Sequence, residues 1–412
     1  MPIESWLGKQ HMRNFWLRFS SGQKTWLVVA LVGPVLIIAV GVLCEPDRES
    51  LAARDFAPKM SIQEIAPKLG VTGRALAREL DLPLGAPKKK PLAKLGVSQG
   101  QLDRATAHLL SHRPTMVKYY VFAALTLFGL IFLTRVGRPD GADISQPRTW
   151  YPRTPYLLSL VVAVAVCGFA FGKSPNPMEG CVKFFKALVG LYPSVSAKAG
   201  ALAFFVALAT IGNKLICGWA CPFGAMQELV YSLPGPRRWK RWKLPFWLSN
   251  KIRGALLIMM LLLLFGIVGG RKGLVIYHAF NPFNLFALDF DEWLVPVTII
   301  ASLVLSLFVY RPFCYLICPF GFVSWLAERV SLARVRIDLA RCTNCGTCVS
   351  ACPSDAAKDL VQGKPFHADC TSCARCLNVC PHDLIRYGFP PRHAAGQRDG
   401  EQRRGVVECG GS

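Results

Sequence analysis

The chain has 412 residues, 52% of them hydrophobic, with 48 Lys and Arg against 25 Asp and Glu, a formal charge of +23. That length allows two or three domains, and the positive mean hydropathy points to the membrane class. A nucleic-acid binder is excluded by where the charge lies: the run "RRWKRWK" (237–243), with Trp239 and Trp242 among basic residues, suits a bilayer headgroup region, and the cysteine-rich stretch 335–390 is nearly neutral.

Six apolar segments have the ~20 residues a membrane helix needs: 25–44, 117–134, 155–172, 199–216, 253–270 and 293–310. No small-residue cleavage site follows the first, and Leu43 before Cys44 spoils a lipoprotein site, so residues 1–44 read as a short stub and a retained anchor. Lys and Arg are denser in the N-terminal stub and in alternate loops, most clearly 214–253. This bias predicts N-inside, six crossings and C-inside.

Residues 45–115 then fall outside. They repeat internally: "PKLGVTGRALARELDLP" (67–83) and "AKLGVSQGQLDRATAHLL" (93–110) share K-L-G-V. Each half predicts a helix, a turn at Gly70 or Gly96, and a second helix, making a small docking module. A helix-turn-helix DNA reader is the alternative, and flanking membrane anchors speak against it.

A second repeat organises the membrane domain, 116–334. Each half is a helical hairpin with an Asn-Pro turn outside, at Asn176-Pro177 or Asn281-Pro282. Each closes inside on a thiol pair, "CGWACPFG" (Cys217 and Cys221) or "CYLICPFG" (Cys314 and Cys318). Such duplication places sites at the interface of the halves. C-x3-C sets two sulfurs on nearly one helix face, and Pro222 and Pro319 mark a break or a new helix start. "CVKFFKALVGLYP" (181–193) has amphipathic spacing and is expected flat on the outer surface.

Sixteen cysteines are present, and eight lie between 342 and 380, in "CTNCGTCVSACP" and "CTSCARCLNVCP". C-x2-C-x2-C-x3-C-P is the spacing that wraps an iron–sulfur cube with three near thiolates, the fourth Cys serving the other cluster. This assigns one [4Fe-4S] cluster to Cys342, Cys345, Cys348 and Cys380. The second takes Cys370, Cys373, Cys376 and Cys352. Paired zinc sites fit this doubled run less well. Small residues such as Gly346 and Ala374 let backbone amides approach the sulfurs.

Residues 335–390 resemble a bacterial-type two-cluster ferredoxin, which implies a small α+β cytoplasmic domain carrying one electron at a time. "CGWACPFGAMQELVY", "CYLICPFGFVSWLAE" and the loop "NPMEG" (176–180) resemble the membrane polyferredoxins that accompany periplasmic nitrate reductase and nitrous-oxide reductase, the NapH- and NosR-like proteins. The resemblance implies a bacterial inner-membrane protein passing electrons between the quinone pool or a cytoplasmic donor and a partner oxidoreductase. Its alternative is an assembly factor supplying electrons or metal to a metalloenzyme. Unlike the nitrous-oxide type, the chain has no Ser/Thr-Gly-Ala-Thr flavin attachment motif, and the nitrate type lacks an insert like 45–115.

The fold expected is an all-α polytopic membrane protein of six helices with a C-terminal α+β ferredoxin-like domain and a disordered tail, 391–412. For Cys217, Cys221, Cys314 and Cys318 three readings stand: a joint metal or iron–sulfur centre, a thiol/disulfide or metal-transfer relay, and buried thiols under a proline kink. A hydrocarbon core ~30 Å thick favours something redox-active within it, either a diffusing quinol or a bound centre. His278 is a quinone candidate, with a hydrogen-bonded loop residue as the plainer reading. Cys44 and Cys181 are candidates for an outer disulfide, Cys167 for packing and Cys409 for a free tail thiol. "GFAFGKS" (168–174) is one residue short of a phosphate loop and is rejected. No catalytic residue is assigned.

Overall fold

The structure is a computed structural model. It describes residues 56–389 apart from 70–75, 112–116, 137–151, 234–239, 269–273, 365–368 and shorter interruptions. The stub, the first predicted span with Cys44, and the tail with Cys409 lie outside the described residues.

The first module carries helix α1 (Ile62–Lys68), a short 3₁₀ turn (Leu92–Leu95) and α2 (Gln99–Ser111). Ser98 and Gln101 bond reciprocally at the start of α2, and Gly96 turns the chain at φ 79°. Ile62, Ile65, Leu76, Leu92 and Leu102 form a core of its own.

The predicted apolar segments are helical where described. Among the described residues, α3 (Val117–Val136) and α9 (Phe246–Leu264) contain the two helices long and apolar enough to cross a membrane. α4 (Thr154–Val162) continues as a π-helix to Ala170; α6 (Val195–Ile211) and α10 (Leu294–Leu305) are likewise apolar and shorter. Outward positions carry large apolar side chains, among them Ile131, Val161, Ile258, Ile300 and Val304. Between α4 and α6 lies α5 (Pro177–Leu188), whose first turn is capped by Asn176 accepting from the Glu179 N–H at 2.8 Å. Its apolar face does not lie free on a surface: Met178 and Val182 are buried in a cluster with Phe223 and Phe283. Asn281 caps the matching 3₁₀ turn Pro282–Ala287 in the same way.

After α6 the chain does not run on as one helix through the thiol pair. Lys214, at φ 58°, interrupts it before α7 (Leu215–Trp219), and Cys221 is the extended residue before α8 (Pro222–Tyr231). The second half repeats this: Arg311, at φ 44°, precedes α11 (Pro312–Leu316), and Cys318 precedes α12 (Pro319–Glu328). The two sulfurs of each pair therefore straddle a helix break and do not share one helix face. Both prolines occupy the first helical position, where a missing N–H costs nothing.

The C-terminal part is α+β. β1 (Arg334–Ile337) pairs antiparallel with β2 (Ile385–Gly388), Val335 opposite Tyr387. Between them lie α13 (Thr347–Ala351), α14 (Ala356–Val361) and α15 (Arg375–Val379). This part is not hung loosely on the helices. Val335, Leu377, Ile385 and Tyr387 share one continuous core with Phe205, Ile211 and Trp219. The Trp219 indole donates to the Ser372 carbonyl at 3.1 Å, and the Tyr315 hydroxyl to the Asp369 carbonyl at 2.8 Å.

Candidate iron–sulfur and thiol sites

Three cavities are each lined by four cysteines. Cys342, Cys345, Cys348 and Cys380 surround one. Cys352, Cys370, Cys373 and Cys376 surround the second. In both, three thiols of one run meet the last thiol of the other. The reason is local. Each run alternates left-handed residues, Asn344 and Gly346 in the first, Ser372 and Ala374 in the second, all with φ between 51° and 70°. This curls the backbone around the cavity, in the manner that gathers amide N–H groups around an anion. A short helix, α13 or α15, then carries the chain to the fourth Cys and across to the other cavity.

The donor set, four soft sulfurs around each space on a curled loop, fits an iron–sulfur cube. Cys345 is exposed, and the Thr347 hydroxyl 3.3 Å away holds its thiol below the ordinary range, whereas burial pushes Cys348 up.

Cys217, Cys221, Cys314 and Cys318 line the third cavity together. Pro177, Met178 and Phe283, from just after the two Asn-Pro turns, line it as well, and so do Asp369 and Thr371 from the ferredoxin-like part. The thiol pairs were expected at one membrane edge and the Asn-Pro turns at the other; instead residues of both line this one cavity.

The third cavity is also strongly charged, which spacing did not reveal. Lys214, Arg253 and Arg311 line it, each nearly or wholly buried. Lys214 and Arg253 both pair with Asp369, the latter at 3.0 Å, and Lys214 reaches Glu328 at 3.3 Å. Arg311 pairs with Glu228 at 3.1 Å and donates to the Cys217 and Gly218 carbonyls. Glu228 also holds Arg375 at 2.7 Å, beside the second cavity. The Gln227 amide donates to the Cys314 sulfur at 3.3 Å. One signal was available in the sequence: ionisable residues within or beside apolar runs mark sites, and a basic residue stands three positions before the first cysteine of each pair. These three cations entered the charge bias that set the predicted orientation, yet they are spent in ion pairs.

His278 is exposed and lies 3.1 Å from the Lys186 amine, away from all three cavities. Cys167 and Cys181 are buried; the Cys44–Cys181 pairing falls outside the described residues.

Two families match. The 4Fe-4S binding domain covers residues 198–245, where Cys217 and Cys221 are the only cysteines, and the 4Fe-4S dicluster domain covers 312–356. YccM of Escherichia coli, named for electron transport, is 28% identical over 45% of this chain and 55% of its own length. The ferredoxin-type protein NapH of Haemophilus influenzae is 27% identical over 39% of this chain and 55% of its own. The regulatory protein NosR of Pseudomonas aeruginosa is 32% identical over 30% of this chain and 19% of its own.

The chain is similar to the NapH- and NosR-like polyferredoxins. It spans about half the length of YccM and NapH and about a fifth of NosR. No solved structure matches this polyferredoxin.

Proposed function

We propose that this polyferredoxin is a membrane-bound electron-transfer protein holding two [4Fe-4S] clusters, one on Cys342, Cys345, Cys348 and Cys380, the other on Cys370, Cys373, Cys376 and Cys352. The reading is carried by the two four-thiol cavities and the crossing of one cysteine between them. When bound, such clusters carry one electron each and make or break no bonds. The chain's own contribution is to hold the two cavities on one rigid loop system, and to pack that system onto its helices through Trp219, Tyr315 and Tyr387.

Apolar outward side chains on α3, α9 and α10 support a bilayer around the helical part. The full proposal is a six-crossing inner-membrane protein with its N-terminus and ferredoxin part in the cytoplasm. It passes electrons between the quinone pool or a cytoplasmic donor and a partner oxidoreductase, with the module 45–115 as an outer docking element.

The test is reoxidation. The anaerobically reduced full chain in nanodiscs is mixed with a soluble quinone analogue, and the cluster absorbance is followed. Rapid recovery of the oxidised spectrum supports quinone exchange. A spectrum that stays reduced until a protein acceptor is added removes the quinone from the account.

A further inference from the structure

The four membrane-domain thiols remain to be explained. We propose that the cavity they line binds a third iron–sulfur cluster, a [4Fe-4S] cube on Cys217, Cys221, Cys314 and Cys318. Its cavity shares Thr371 with that of Cys352, Cys370, Cys373 and Cys376, and is also lined by Pro177 and Phe283 from the Asn-Pro turn elements. This rests on the iron–sulfur reading of the other two cavities and extends it.

The geometry matches theirs. Among the described residues no three His, Cys, Asp or Glu side chains gather closely enough to hold a single metal ion. In all three places the thiols surround a space instead, which suits a polynuclear centre whose corners each take one sulfur. The third cavity has a volume of about 40 Å³ and each of the others about 20 Å³. Gly224 and Gly321 fit the same design. A Cβ on Gly321 would come within 2.7 Å of the Cys314 carbonyl, which the backbone could not hold without shifting, and one on Gly224 within 3.1 Å of the Cys217 carbonyl, a tight contact.

The charge fits as well. A cube with four thiolates is an anion, and burying one requires compensating cations. Lys214, Arg253, Arg311 and Arg375 share three carboxylates, Asp369, Glu328 and Glu228, so these ion pairs in and beside the cavity hold one cation more than they hold acids. Cys221 and Cys318 each precede the N-terminus of a ten-residue helix, where negative charge is favoured. The Gln227 amide on Cys314 is the kind of N–H to sulfur bond that tunes a cluster.

Position gives the site its purpose. Thr371, next to Cys370, lines both the second and the third cavity. Gly218 touches this segment so closely that an added Cβ would collide with the Thr371 carbonyl. On the far side, Pro177, Met178 and Phe283 belong to the turn elements. A cluster here would share Thr371 with the second ferredoxin site as a wall between them, which suits electron exchange between the two.

The experiment counts iron, labile sulfide and zinc per full-length chain after anaerobic purification and reconstitution. About twelve irons and twelve sulfides are expected, three cubes of four. Joint replacement Cys217→Ser and Cys314→Ser should remove about four irons and leave the reduced ferredoxin EPR signal intact. Cys370→Ser should remove a different four. About eight irons in the unsubstituted chain leaves the two-cluster reading standing and overturns the third site, as does zinc or a disulfide found on these four thiols by mass spectrometry. A chain without iron overturns both. The count on the unsubstituted chain decides even where a variant fails to fold.

Discussion

Glycines at two positions separate backbone strain from steric contact. At Gly346, φ is 70° and nothing lies within 4 Å of an added Cβ, so Gly346→Ala meets only the left-handed penalty, ~1 kcal/mol. Ala374 already occupies the equivalent place in the second run. Gly218→Ala instead drives a methyl into the Thr371 backbone and should cost about 1–3 kcal/mol. Thermal unfolding of the cluster-loaded protein should show the second variant melting well below the first; equal midpoints would contradict the contact. Exposure predicts a further ordering. In iron-free protein Cys345, exposed and lowered by Thr347, should be alkylated before buried Cys348, read by peptide mass spectrometry. Three thiols of each quartet stand within seven residues of one another, so local spacing marks them in the sequence, and the structure places them around one cavity. The partners of Lys214 and Arg311 were not legible, since each acid that meets them lies far along the chain.

Among the elements, the paired breaks before α8 and α12 decide the site. Pro222 and Pro319 announced the new helices correctly, because proline at a first helical position forfeits no hydrogen bond. The preceding breaks at Lys214 and Arg311 were hidden, since non-glycine residues with positive φ leave no sequence mark. Pro222→Ala should therefore change stability by less than about 1 kcal/mol. Glu228→Gln should be far more damaging. It leaves Arg311 and Arg375 buried together without their shared carboxylate, a loss of about 3–5 kcal/mol. Denaturant unfolding in detergent would measure both, and a near-neutral Glu228→Gln would show that this charge network does not hold α8 against α15.

At the scale of the whole molecule, hydropathy located the apolar helices but not their ends: α6 stops at Ile211 and α10 at Leu305, short of the predicted 216 and 310. The ferredoxin part was legible as a unit of sequence, while its merging with the helical core was not: no local pattern records that Trp219 sits under Ser372. A fragment of residues 335–390 alone should accordingly lose its clusters much faster than the full chain, as followed by absorbance decay under argon. The central claim is that two thiol quartets, each sharing a cysteine from the other's run, hold two neighbouring iron–sulfur cubes. EPR of the reduced full chain tests it most directly. In the chain carrying Cys217→Ser and Cys314→Ser, the account predicts the split signal of two interacting clusters, collapsing to that of a single cluster when Cys380→Ser further disables the quartet of Cys342, Cys345 and Cys348. A chain that stays colourless and EPR-silent after anaerobic reconstitution would contradict it.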